Sequence, residues 1–164
     1  MSVEAVRQYL EAYSLGDRVR EFALSSATVE LAAKAVGVEP KRIAKTLSFQ
    51  DGPEGCLLLV AAGDAKVDNA KFRHAFGFKA RMLSAEEALR LTGHAVGGVC
   101  PFALPDNGAV RVYLDLSLRR FDRVYPAAGS ANSAVDLTPE ELQTASRAAG
   151  WVDVCKGWQE EDQA

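Results

Sequence analysis

A chain of 164 residues suits one domain with one core, and its balance of apolar (48%) and charged (25%) residues excludes a disordered polymer. The longest apolar run, Cys56 to Ala62, is far too short to span a bilayer, and the net charge of −3 argues against a protein that grips DNA or any long nucleic acid by bulk electrostatics. Three scattered cysteines, only two histidines and no Cys-x-x-Cys pair exclude a disulfide framework, a zinc knuckle and a histidine-rich metal site, so neither metal nor cofactor is expected.

The start, Met1-Ser2-Val3-Glu4, carries no basic region and no long apolar stretch behind it, which predicts a cytoplasmic protein without a signal peptide. Val3, Val6, Leu10 and Tyr13 recur at helical spacing. Arg18 to Leu24 reads as a short strand. Ser25, Ser26 and Thr28 then offer capping hydroxyls for a helix ending near Gly37, and Pro40 marks a turn or a new helix start. Lys45 to Gln50 and Gly55 to Ala62 read as strands joined by the turn Asp51-Gly52-Pro53-Glu54. After the turn Gly63-Asp64, residues Asp68 to Phe76 form a helix closed by Gly77, and Ala80, Met82 and Leu83 a short strand.

Ser84-Ala85-Glu86-Glu87 is a capping box, in which a hydroxyl and a carboxylate satisfy free N–H groups at a helix start; that helix should stop at Gly93. Val110, Val112, Leu114 and Leu116 alternate as in a half-buried strand. Thr138-Pro139-Glu140-Glu141 is a second capping box, whose helix is expected to end near Gly150. Residues 1–155 are read as one domain and 156–164 as a polar tail expected to fray. Interleaved strands and helices with several hairpins predict an α+β domain with a mixed, mainly antiparallel sheet.

Three segments stand out chemically. Gly93-His94-Ala95-Val96-Gly97-Gly98-Val99-Cys100-Pro101-Phe102 places two adjacent glycines after a helix, where backbone can approach a ligand and aim N–H groups at it; a tight turn explains the same residues. Ala44-Lys45-Thr46-Leu47 sets a lysine at the start of an apolar strand, where it either snorkels to solvent or faces a pocket as a compact charge for a phosphate or oxyanion. Gly129-Ser130-Ala131-Asn132-Ser133 is a small polar loop that turn chemistry accounts for. Asp64, Asp68 and Asn69 have no calcium-loop spacing and suit helix capping. His94 and Cys100 form a conceivable base–nucleophile pair, but no orienting carboxylate accompanies them. Basic residues cluster at Lys41, Arg42 and Lys45 and at Lys71, Arg73, Lys79 and Arg81, as solvated faces do.

In this order and spacing, Ile43-Ala44-Lys45-Thr46-Leu47, Thr92 to Phe102, and Gly129-Ser130-Ala131-Asn132 with Val135-Asp136-Leu137-Thr138 resemble the motifs of the YbaK/ProX family of aminoacyl-tRNA trans-editing deacylases, related to the editing insertion of bacterial prolyl-tRNA synthetase. The likeness runs from about Val6 to Val154; Ser25 to Glu30 and Gly63 to Asn69 depart from the cysteine-specific branch and resemble a single-domain subgroup. It implies a β-barrel-like mixed sheet flanked by helices. It also implies hydrolysis of the ester at the 3′ end of a mischarged tRNA, often tRNA(Pro) carrying a small amino acid, with a synthetase as a second candidate partner.

Under the resemblance, Lys45 holds the terminal phosphate or orients the ester, and the amides of Gly97, Gly98 and Val99 bind its carbonyl. Gly129, Ser130 and Asn132 form the opposite wall. Thr46, His94, Cys100, Pro101 and Phe102, within the matching segments, contact substrate. A histidine found in the synthetase-borne branch has no counterpart after Gly129. An activated ester needs no triad, since positioning and electrostatic stabilisation suffice, with water or a ribose hydroxyl relaying the proton. A non-catalytic module that binds aminoacyl-tRNA or a synthetase is the alternative reading, and a Cys100-dependent hydrolase a third. The amino acid removed is not legible.

Overall fold

The computed structural model describes residues 2–159. Its elements are α1 (Val3–Glu11), β1 (Val19–Glu21), α2 (Val29–Val36), β2 (Ile43–Asp51), β3 (Gly55–Ala62), β4 (Lys66–Val67), α3 (Asn69–Phe76), α4 (Ala85–Thr92), β5 (Val110–Asp115), β6 (Tyr125–Pro126), β7 (Ser133–Val135), α5 (Pro139–Ser146), β8 (Gly150–Val152) and β9 (Cys155–Lys156). A five-stranded sheet in the order β6-β2-β3-β5-β8 forms the centre, with the ribbons β1-β7 and β4-β9 beside it.

The run Cys56 to Ala62 explains the centre. Each of these seven side chains is fully buried, as expected of a strand with neighbours on both edges and layers on both faces. The hairpin to β2 is antiparallel, pairing Ala44 with Ala62 through to Asp51 with Gly55. The junctions β2-β6, β3-β5 and β5-β8 are parallel, so the sheet is mixed and its hairpin is the long antiparallel element. Past β6 the pairing continues through a Val124–Leu137 bridge toward β7 and β1. Leu10 and Val6 of α1 join the core. Phe72 of α3 packs against Phe49 and Phe76 at ring-centre distances of 4.8 and 4.7 Å, which fixes α3 to the sheet.

The caps fall where the sequence places them. Thr28 accepts from Leu31 N–H and Gly37 closes α2 at φ 89°. Asp68 accepts from the Ala70 and Lys71 amides at the start of α3, and Ser84 and Glu87 form the reciprocal box of α4. Three expectations need correction. The Ala80–Leu83 strand is reduced to one bridge, Met82 to Phe49. The last helix ends at Ser146, with Arg147 left-handed at φ 54°, because 150–152 pair with β5 and are unavailable to a helix. Lys156 does not fray; it lies in β9 opposite Lys66. Residues 160–164 of the expected tail lie outside the described residues.

The α5 box is a direct stability test. Thr138 N–H donates to Glu141 Oε1 at 2.9 Å and Glu141 N–H to Thr138 Oγ1 at 3.1 Å. Thr138→Ala removes one half of it and should cost about 1 kcal/mol, read as a lower urea midpoint at unchanged slope.

Candidate functional site

A cavity of about 360 Å³ opens beside β2. Its walls come from the start of α2 (Ser26 to Val29), from β2 itself, from Met82 to Ala85, from Val96, Gly97 and Val99, and from Tyr125, Ser133 and Ala134. Among these lining residues Lys45 alone carries a charge. Its ammonium donates to the carbonyls of Gly63, at 3.4 Å, and of Ala65. Burial pushes the lysine below its ordinary pKa, and the carbonyls that hold it leave donor capacity toward the cavity.

The strand edge supplies more polar groups. Gln50 N–H donates to Arg81 C=O at 2.8 Å and Ser48 C=O accepts from Leu83 N–H at 3.0 Å. The even-numbered residues of β2 therefore turn their backbone groups away from β3, since these alternate along an antiparallel pair. Pairing with β6 covers this edge only as far as Ala44. Between the two pairings, Thr46 N–H and C=O and Ser48 N–H face the gap with no backbone partner among the described residues. Thr46 Oγ1 is buried without a hydrogen-bond partner. Orphaned polar groups at a strand edge are a template for a ligand's own donors and acceptors.

The glycine loop divides its roles. Gly97, at φ 85°, lines the cavity between the methyls of Ala27 and Ala131, each 3.1 Å from where a Cβ would stand. The amides of Gly97 and Val99 donate to no carbonyl among the described residues. Gly98 does not line the cavity, and its amide donates to Ala95 C=O at 3.0 Å. Gly98 instead permits contact with the next loop, because a Cβ there would stand 2.7 Å from Ser130 N and 2.8 Å from the Gly129 carbonyl carbon.

Residues Gly129 to Asn132 build the wall from behind, and only the end of their loop, at Ser133, lines the cavity. Asn132 Nδ2 donates to Phe22 C=O at 2.9 Å, Phe22 N–H to Asn132 C=O at 2.8 Å and Ser26 N–H to Ala131 C=O at 2.7 Å. These bonds stitch the loop to the segment leading into α2. Ser130 Oγ donates to Ser133 Oγ at 2.7 Å, so Gly129, Ser130 and Asn132 shape the cavity while Ser133 and Ala134 touch it.

His94, Cys100 and Phe102, expected at the ligand, are fully buried and line none of this cavity. His94 Nε2 lies 2.8 Å from Phe102 C=O, which requires the proton on Nε2, and burial lowers its pKa. The imidazole is a neutral staple across the loop. Cys100 Sγ is 3.6 Å from that Nε2, but burial pushes the thiol up to about 12, against the pull of the Phe102 and Gly129 amides. A protonated thiol buried away from solvent is a poor nucleophile, which argues against a hydrolase that uses Cys100. Pro101 lines a separate cavity of about 300 Å³ with Tyr9, Arg111 and Arg147. No group of three His, Cys, Asp or Glu side chains that could hold a metal occurs among the described residues.

The sequence reading overlooked Ser26, Ser48 and Tyr125 as lining residues. Ser26 sat in a segment singled out for capping and for its resemblance. Tyr125 had no local signal.

The family model for the aminoacyl-tRNA editing domain matches residues 25–145. The chain belongs to the aminoacyl-tRNA editing domain family, of the YbaK type. Among its relatives is the uncharacterized protein YwhH of Bacillus subtilis (strain 168), 54% identical over 97% of this chain and 100% of that protein. A protein of Enterococcus faecalis provisionally named the Cys-tRNA(Pro)/Cys-tRNA(Cys) deacylase EbsC is 26% identical over 81% of this chain and 82% of its own. A crystal structure provisionally described as a trans-editing enzyme for prolyl-tRNA synthetase superposes with a TM-score of 0.83 at 33% identity, covering 94% of this chain and 97% of that one. The mixed α+β fold is that of these editing domains, and at family level the function is aminoacyl-tRNA editing. No helix among the described residues is long and apolar enough to cross a membrane.

Proposed function

We propose that the chain is a free-standing deacylase that hydrolyses the ester of a mischarged tRNA, with tRNA(Pro) carrying a small amino acid as the first substrate to test. The observation that carries this reading is a single half-buried ammonium, Lys45, in a cavity whose other lining side chains are uncharged, beside backbone groups left without partners. The names of the Enterococcus relative and of the trans-editing structure support the choice of tRNA.

The ester carbonyl accepts from the amides of Gly97 and Val99 or from the open edge at Thr46 and Ser48. With no carboxylate in the lining, the substrate's ammonium finds its acceptor in the Thr46 carbonyl. Lys45 faces the negative charge of the terminal phosphate or of the oxyanion, where a preorganised charge in a poorly solvated site acts strongly. Water adds to the carbonyl carbon. The bond to the ribose oxygen then breaks, that oxygen takes up a proton, and the free amino acid leaves. The lining offers no histidine or carboxylate as base, so the proton passes through water or the neighbouring ribose hydroxyl. One domain comprising residues 1–155 carries all of these groups.

Deacylation of a panel of mischarged tRNAs tests the reading. Turnover above the spontaneous rate on at least one tRNA supports it. Tight binding with no turnover on any would favour a non-catalytic module of the same fold. Cys100→Ala should keep near wild-type turnover, since the thiol is sealed in the core; loss of activity in a folded variant would restore the thiol mechanism.

A further inference from the structure

The ribbon β4-β9 sets two lysines face to face. Its register pairs Lys66 with Lys156, and both are exposed. Directly opposed like charges destabilise an antiparallel pair, and the ribbon holds against that repulsion through the buried Val154 and Cys155 and the 2.8 Å bond from Asp68 N–H to Val154 C=O. Among the described residues neither lysine forms an ion pair. The flanking acids are committed elsewhere: Asp64 is gripped by both guanidinium nitrogens of Arg120 at 2.6 and 3.0 Å, Asp153 pairs with Lys71 at 3.2 Å, and Asp68 caps α3. Asp68 does feel the charge of Lys156, but as a cap its Oδ1 holds two backbone amides at 3.0 and 3.1 Å.

This pair adjoins the cavity. Ala65, the residue before Lys66, gives its carbonyl to the Lys45 ammonium, and the charge of Lys66 is felt at Lys45. Cys155, the residue before Lys156, is likewise close to Lys45. A run of ammonium groups thus leads from the cavity wall to the surface, on a protein of net charge −3.

We propose that Lys66 and Lys156 form a phosphate clamp that holds the phosphodiester backbone of the tRNA acceptor end while its terminal ester occupies the cavity. The proposal rests on the deacylase reading above. An RNA anchored at its 3′ end presents its next phosphates at high effective concentration, so two lysines suffice where the protein as a whole is acidic. Holding phosphate also relieves the repulsion built into the ribbon. Long, flexible lysine stems suit a backbone that must be held without regard to sequence.

Binding of uncharged tRNA to wild type and to K66Q/K156Q, titrated with salt, tests the clamp independently of catalysis. The expected result is about tenfold weaker binding at low salt and a log–log salt slope shallower by about one for each lysine removed. The melting temperature of the unliganded double variant should rise at low salt. Equal affinity and slope in the two proteins would overturn the proposal. So would a result in which inorganic phosphate stabilises wild type but not the variant while tRNA affinity is unchanged, since the pair would then be a free-anion site. A wild-type protein that binds tRNA through this pair yet hydrolyses no mischarged tRNA refutes the deacylase reading and leaves the clamp standing.

Discussion

Lys45→Ala is expected to lower kcat/KM for a mischarged tRNA by about a hundredfold, equivalent to about 2.7 kcal/mol of lost transition-state stabilisation. The size follows from the setting. Among the described lining residues Lys45 alone is charged, so no other lining side chain replaces it. The substitution also frees the carbonyls of Gly63 and Ala65, which would lower stability modestly. Lys45→Met separates the effects, because it keeps an apolar stem of similar length without the charge. A melting temperature near that of wild type together with the hundredfold loss assigns the effect to the ammonium. Near-normal turnover by folded Lys45→Met would remove Lys45 from the mechanism.

Gly98→Val should damage the fold first and the activity with it. A Cβ at Gly98 would meet three backbone atoms of Gly129 and Ser130 within 2.9 Å, and backbone cannot rotate away as a side chain does. Overpacking of this kind costs about 1–3 kcal/mol, or about 3–10 °C in melting temperature for a chain of this size. The loop can relieve the clash only by leaving the Gly129–Ser133 wall, which carries Gly97 and Val99 away from the cavity. Turnover per folded molecule should then fall at least tenfold. If folded Gly98→Val cleaves at the wild-type rate, the loop is a turn whose position does not matter to the chemistry.

These two glycines show where sequence reading stops. The doublet announces close approach, and the structure contains two such approaches, one to the cavity at Gly97 and one to the neighbouring loop at Gly98. Spacing cannot say which glycine does which, because the answer depends on a loop some thirty residues away. Local signals, by contrast, were legible: the capping hydroxyls of Thr28, Ser84 and Thr138 act through amides within three residues. So was the doubly buried strand, whose run of apolar residues leaves no solvent face. The position of His94 and Cys100 behind the cavity was not legible, because a polar residue in a matching motif looks the same whether it meets the ligand or braces the loop from behind. The open edge of β2 was invisible, since it is defined by where the partners of Ala44 and Phe49 end. The opposed lysines of β4 and β9 were hidden for the same reason: their pairing joins distant parts of the chain.

With the ester seated in the cavity beside β2, backbone amide NMR with a non-hydrolysable aminoacyl-adenosine, its ester replaced by an amide, should show saturable shifts concentrated at the amides of Thr46, Ser48, Gly97 and Val99, with a smaller response at Ala65 as Lys45 adjusts. Shifts centred instead on the cavity of Tyr9, Pro101 and Arg147, with Thr46 and Gly97 unmoved at saturation, would contradict that seating of the ester.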